Sequence, residues 1–210
     1  MKWILLLGAL SIFILLLAVL YRVRQTRDPG HHSRPEALSN VRQIGLNLFA
    51  FEEEYSSFPD ATTIPAVQSA TGTTLALGTS SSNELFRQLL ATVGKSERIY
   101  WAQTATTRKR PDEVLGANAL VAGECGFTYI AGLTSAGDPD TPVLMTPVIP
   151  GTWKFDPKIY GDKAIVYHLN SSAITLPIDK NGDVILNGMN LFDPRQPFWR
   201  GKAPDIKYPE

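Results

Sequence analysis

The chain has 210 residues, 44% of them hydrophobic, with a single cysteine and 20 basic against 20 acidic residues. That length supplies one folded domain of about 170 residues plus an appendage, and one cysteine excludes an intramolecular disulfide framework. Lys2, Arg22, Arg24, Arg27 and Arg34 precede residue 36 with only Asp28 against them, which leaves 15 basic and 19 acidic residues from Glu36 onward; a domain of net negative charge excludes the clustered basic footprint of a nucleic-acid binder.

Residues 3–20, WILLLGALSIFILLLAVL, carry no charge. Eighteen residues at helical rise span about 27 Å, close to the hydrocarbon thickness of a bilayer. Trp3 and Tyr21 bracket the segment, where aromatic rings favour the interface. Ala18-Val19-Leu20 followed by Tyr-Arg-Val-Arg lacks the small residues of a signal-peptidase site. A retained transmembrane anchor is therefore expected over 1–21, in contact with membrane lipid. The arginines that follow it favour a cytoplasmic C-terminal side by the positive-inside rule. Residues 22–35 read as a polar juxtamembrane linker, with a turn at Asp28-Pro29-Gly30 and arginines facing anionic headgroups. His31 and His32 are adjacent and diverge, which argues against metal ligation there.

An amphipathic helix is expected over 36–56. Leu38, Val41, Ile44, Leu48, Phe51 and Tyr55 recur every three or four residues and share one face. Ser33 and Glu36 have capping-box spacing, with Pro35 in the first turn. Glu52, Glu53 and Glu54 fall late in the helix, where the dipole disfavours acids. Residues 60–80 read as a loop with a short helical turn near Pro65–Ser69. A second helix opens at Ser81-Ser-Asn-Glu84, again with capping-box spacing. It buries Leu85, Phe86, Leu89, Leu90 and Val93 and stops at Gly94. Arg98–Gln103 is a short strand candidate, and Thr104–Gly116 a polar loop.

From Cys125 the pattern turns to strands: Phe127–Leu133, Val143–Thr146, Ala164–Leu169, Ala173–Ile178 and Val184–Leu186. The last three follow at hairpin spacing, which predicts an antiparallel meander. The 36–56 helix is the natural cover for the apolar face of such a sheet. The expected fold is thus α+β: a transmembrane helix, then an amphipathic spine helix packed on a small antiparallel sheet. The domain is bounded at 36–192, and 193–210 read as an extended tail clipped down by Phe198 and Trp199.

Candidate chemistry is sparse. Asp179, Asn181 and Asp183 place oxygen side chains at alternate positions around Gly182, half of a calcium loop; the other reading is a plain Asn-Gly hairpin turn. His168 lies inside an apolar strand and reads as structural. Asp138 and Asp140 read as a solvated turn, Arg108-Lys109-Arg110 as a solvated loop, and Cys125 as a buried structural thiol. No nucleophile elbow, zinc-protease helix, P-loop or dinucleotide fingerprint occurs, so no catalytic set is expected and the chain does not read as an enzyme.

The segment NVRQIGLNLFAFEEEYSSFP at 40–59 resembles the exposed half of the long first helix in type IV pilin-like proteins. The likeness is to type II secretion pseudopilins and to the prepilin-like proteins of planctomycete and verrucomicrobial bacteria. SSSNELFRQLL at Ser80–Leu90, Arg110-Pro-Asp-Glu-Val114, Phe127–Leu133, Pro142–Met145 and Lys163–Val166 extend that resemblance, in order, over most of 36–188. It implies a pilin-like fold and a non-enzymatic structural or accessory subunit of a type II secretion or type IV pilus-like system. The partners implied are pilin-like subunits or secretion-platform proteins. The location implied is the inner membrane, single-pass, with the C-terminal domain periplasmic, against the arginine bias. The N-terminus departs from the family's pattern. With Gly8 as the cleavage glycine, Phe13 stands where the family has its assembly glutamate, and no carboxylate occurs before Asp28. That departure points to a tip, minor or non-assembling variant. The alternative class is an anchored ligand- or calcium-binding module on the cell-envelope face.

Overall fold

The computed structural model describes residues 29–105 and 107–210, with side chains from Arg34 onward. The expected membrane span at 3–20 lies outside the described residues. Helix α1 runs over Pro29–Tyr55, so it begins before the expected start. Residues 29–35 are helical rather than part of a turn and linker, and Ser33 and Glu36 are not its cap. Pro29, with its preset φ, is suited to a first helical position. Pro35 sits within the helix and removes one ladder donor. Val41, Ile44, Leu48 and Phe51 are fully buried, as the periodicity requires, and so is Ala37, outside the expected set, while Leu38 and Tyr55 pack at the margin. Ser56 adopts a left-handed conformation, φ 64°, and ends the helix. The late acids are partly accounted for, because Glu52 Oε1 accepts the Ser135 N–H (2.8 Å) and ties the helix end to the 132–137 loop.

Helix α2 spans Ile64–Thr71 and α3 Ser82–Ala91. Ser81 Oγ accepts the Glu84 N–H (3.2 Å), and Glu84 in turn accepts from Ser80 N–H (2.6 Å), one residue earlier than a capping box would have it. The helix ends at Ala91 with Thr92 as its C-cap, before the expected stop at Gly94 and without Val93; Gly94 instead lies against α1, where a Cβ would come 2.5 Å from Asn47 Nδ2. Residues 97–100 form a 3-10 helix capped by Ser96, not the strand that the aromatic content of 98–103 suggests.

The strands are β1 Thr128–Ala131, β2 Pro142–Met145, β3 Lys163–His168, β4 Ala173–Pro177, β5 Ile185–Leu186, β6 Met189–Asn190 and β7 Asp205–Lys207. Five of them make one sheet in the order β4-β3-β2-β1-β7, antiparallel at every pairing. The meander is therefore β1 to β4. The Val184–Leu186 segment does not extend it; β5 pairs with β6 in a separate ribbon. The tail is also more than a clipped arm. Trp199 is buried and donates from Nε1 to the Leu191 carbonyl (2.8 Å), and β7 pairs with β1 through Ile130 and Ile206.

All residues of β1 and β2 are buried, so the sheet centre is covered on both faces. Helix α1 packs against β2, β3 and β4. Phe86 of α3 meets Tyr129 of β1 (5.4 Å between ring centroids) and Tyr100 of the 3-10 helix (5.1 Å). Spine helix, α3 and sheet thus enclose one continuous apolar core.

Candidate functional site

The Asp179–Asp183 loop is a self-bonded turn. Asp179 Oδ1 accepts the N–H groups of Asn181 (2.8 Å) and Asp183 (2.9 Å), and the Asp179 N–H donates to the Asp183 carbonyl. These donors hold the Asp179 carboxyl below the usual range, because they favour its charged form. Asp183 Oδ1 accepts from Asn190 Nδ2 (3.0 Å), linking the turn to the β5–β6 ribbon. A tight turn accounts for each of these bonds, but it is not the expected hairpin, because β4 and β5 on either side of it belong to separate sheets. No group of three or more His, Cys, Asp or Glu side chains among the described residues is placed to hold a metal.

Cys125 is fully buried, its Sγ 3.6 Å from the Phe127 carbonyl and 3.7 Å from Ser82 Oγ. Burial pushes its thiol up to about 11, far from the thiolate a nucleophile requires. The basic run is partly engaged rather than wholly solvated. Lys109 Nζ lies 2.7 Å from the buried carboxylate of Glu124 and 3.5 Å from Asp112, and Arg110 sits over the Trp101 ring at 5.0 Å.

The Lys109–Glu124 pair borders a polar cluster the sequence does not announce. Arg87 is buried and donates to three carbonyls: Ala76 (2.8 Å), Ala119 (2.8 Å) and Leu120 (3.1 Å). Asn83 donates to Leu120 and Val121 and accepts from the Glu210 N–H. Glu97 accepts the Leu120 N–H with one oxygen while the other is buried without a partner. Burial, with Glu124 and Asp112 nearby, raises the Glu97 carboxyl. Together these groups hold the 116–124 loop against α3. The only sequence signal was charge inside an apolar helix, at Arg87 between Phe86 and Leu89.

His168 is buried at the end of β3, as expected of a structural histidine. Its own strand end, the turn after it and the 138–141 loop form one unit. Asn170 accepts the Ser172 N–H at Oδ1 (2.9 Å) and reaches Asp140 Oδ1 from Nδ2 (3.3 Å). Asp138 Oδ1 accepts the Asp140 N–H (3.1 Å). The structure therefore brings His168, Asp138 and Asp140 to one place, which sequence spacing alone does not indicate.

The outward face of α1 carries Leu46, 66% exposed, among Arg42, Gln43, Ala50 and Glu53, which are also exposed. No helix among the described residues is long and apolar enough to cross a membrane. Comparison with protein-family models, curated proteins and solved structures finds no match to the chain. The geometry above defines the class at the level of an α+β domain: a long helix packed on a five-stranded antiparallel sheet.

Proposed function

We propose that this chain is a membrane-anchored, pilin-like structural or accessory subunit of a type II secretion or type IV pilus-like system, acting through packing rather than catalysis. The observation that carries the reading is α1: a helix of 27 residues that lies on an antiparallel sheet with one face and leaves Leu46 exposed on the other. It follows an uncharged apolar segment of membrane-spanning length. In this reading the segment holds the domain at the inner membrane, the domain faces the periplasm, and the outer face of α1 meets pilin-like subunits or platform proteins.

Two measurements test it. An epitope tag after Glu210 should be digested by external protease in spheroplasts whose cytoplasmic control protein survives. A photo-crosslinking residue at Leu46 should capture a pilin-like or platform protein, while one at Lys180, on the Asp179 turn, should not. A tag protected until detergent is added, or identical crosslinks from the two positions, overturns the proposal.

A further inference from the structure

The sheet ends differently at its two margins. Strand β7 is only 3 residues long, and Asp205 and Lys207 stand on it, paired with each other at 3.0 Å. Short length and charge blunt an edge against further pairing. Strand β4 lies at the opposite margin. Residues 170–178 carry no charge, and the one interruption is Pro177 at the strand's end.

The direction of each main-chain group on β4 follows from two bonds that bracket it. The His168 N–H donates to the Ser172 carbonyl (2.9 Å), and the Ile178 N–H donates to the Asp162 carbonyl (2.9 Å). Between them the register is unbroken, with Val166 opposite Ile174 and Ala164 opposite Leu176. Bonded pairs alternate along an antiparallel ladder. Ile174 and Leu176 therefore bond inward to β3, and the N–H and C=O groups of Ala173 and Thr175 point away from the sheet. Those groups have no main-chain partner among the described residues. The approach is open on both faces. Thr175 lies on the side of Tyr167, where α1 packs, and is exposed; Ile174, on the other side, is 40% exposed.

The pattern of this edge fits its own copy. A two-fold axis brings a strand antiparallel to itself. With Ile174 opposite Ile174 of a second copy, Ala173 falls opposite Thr175 in both directions. Each such pair exchanges both of its bonds, and no outward group of Ala173 or Thr175 stays open. Pro177 falls beyond the ladder, opposite Ser171, whose φ of 64° already takes it out of the strand. A register centred on Thr175 instead sets the Ala173 carbonyl opposite Pro177, which has no N–H to give. The lack of charge also favours a second copy, because two-fold pairing sets a charged side chain close to its like.

We infer that β4 is a self-pairing edge through which two copies of this chain join into one continuous antiparallel sheet, Ala173 against Thr175 and Ile174 against Ile174. The joint makes no use of the outer face of α1, so its failure and the failure of the assembly proposal are read by different experiments.

The test uses the full chain in a neutral detergent. Ile174→Cys is oxidised with copper–phenanthroline, beside Leu176→Cys on the same strand and face. In the inferred register the two Ile174 positions form a non-hydrogen-bonded pair, with Cα atoms about 4.5 Å apart, within disulfide reach. The two Leu176 positions are offset by about 13 Å along the strand, out of reach. The first variant should give a linked dimer and the second none; Cys125 is buried and common to both. Thr175→Pro removes an outward N–H and leaves the bonds to β3 in place, as an edge strand tolerates. Ile174→Lys sets two cations directly opposite each other. By sedimentation equilibrium each should weaken the wild-type dimer about tenfold or more, while the urea midpoint of Ile174→Lys stays near that of the wild type. A wild-type chain that is monomeric at every concentration, a dimer that persists unchanged in both variants, or equal crosslinking at 174 and 176 overturns the inference. Crosslinking of Ile174→Cys in whole membranes to a different protein alone assigns the edge to that protein and overturns it as well.

Discussion

Gly45 of α1 and Tyr167 of β3 meet with no space for a further carbon: a Cβ on Gly45 would lie 2.2 Å from Tyr167 Cζ and 2.5 Å from its hydroxyl oxygen. Tyr167 is buried, so the ring has little room to yield. The missing side chain sets the distance between helix and sheet. Gly45→Ala should therefore destabilise the domain by about 2–3 kcal/mol, the cost of overpacking, although alanine is the better helix former by about 1 kcal/mol. Urea unfolding checks the sign. Adding Tyr167→Leu to the alanine variant should recover part of the loss, which a simple helix-propensity effect would not produce.

Arg87 is fixed by three carbonyls, and its planar fork is what lets one cation reach all of them. Arg87→Lys should lose about 2–3 kcal/mol in denaturant unfolding, because carbonyls in a buried site are left unpaired. Arg87→Met should cost a similar amount, showing that the bonds matter beyond the charge. Equal stability of wild type and the lysine variant would refute this account.

Acid should weaken the fold in a window set by His168. Burial lowers its pKa below the ordinary value, so between that lowered value and about 6.5 the unfolded chain binds more protons than the native one. Stability from this residue is complete above about pH 6.5 and is lost as pH falls through the unfolded pKa toward the folded one. His168→Gln should flatten the urea midpoint across that window. The carboxylates act lower: Asp193, largely covered and held at about 2 by Arg195, still favours the fold where His168 no longer does.

Removing residues 203–210 should unfold the domain rather than trim it. The deletion removes β7, the Ser82 bond to the Tyr208 carbonyl, the Gly123 bond to Glu210, and the Tyr208 hydroxyl on Thr152. At about 1 kcal/mol net for each bond, the loss is comparable to much of the 5–15 kcal/mol that keeps a typical domain folded. Trp199 fluorescence and limited proteolysis read the outcome; a native-like truncated chain would contradict it.

Where side-chain period decides structure, the sequence was readable. The buried face of α1, the Ser81 cap of α3 and four strands of the sheet follow from spacing, because the apolar residues of α1 and of β1 to β3 have to reach the same core. Residues 98–103 misled because aromatic content favours a strand, whereas Ser96 and the bonded Glu97 fold the start of that stretch into a 3-10 turn. Strand β7, Asp-Ile-Lys, has one apolar residue and is held by main-chain pairing, which leaves almost no compositional mark. At the candidate site, the Asp179 turn and the burial of His168 were legible one residue at a time. Their neighbours were not. Asp140 joins the His168 turn through Asn170, across a separation that only the folded sheet closes.

The placement of β7 has a consequence for how the domain is made. The sheet's interior neighbour β1 lies at Thr128–Ala131, and its outer partner arrives only with Asp205–Lys207. Until those residues leave the ribosome, β1 presents an open edge, the kind of long-range closure that slows folding and leaves strands available to wrong partners. Closure of the sheet is therefore expected to wait until β7 has been made. Under the function proposed above, a chain that stays unclosed until β7 arrives also stays threadable, which suits passage across a membrane before the sheet is sealed.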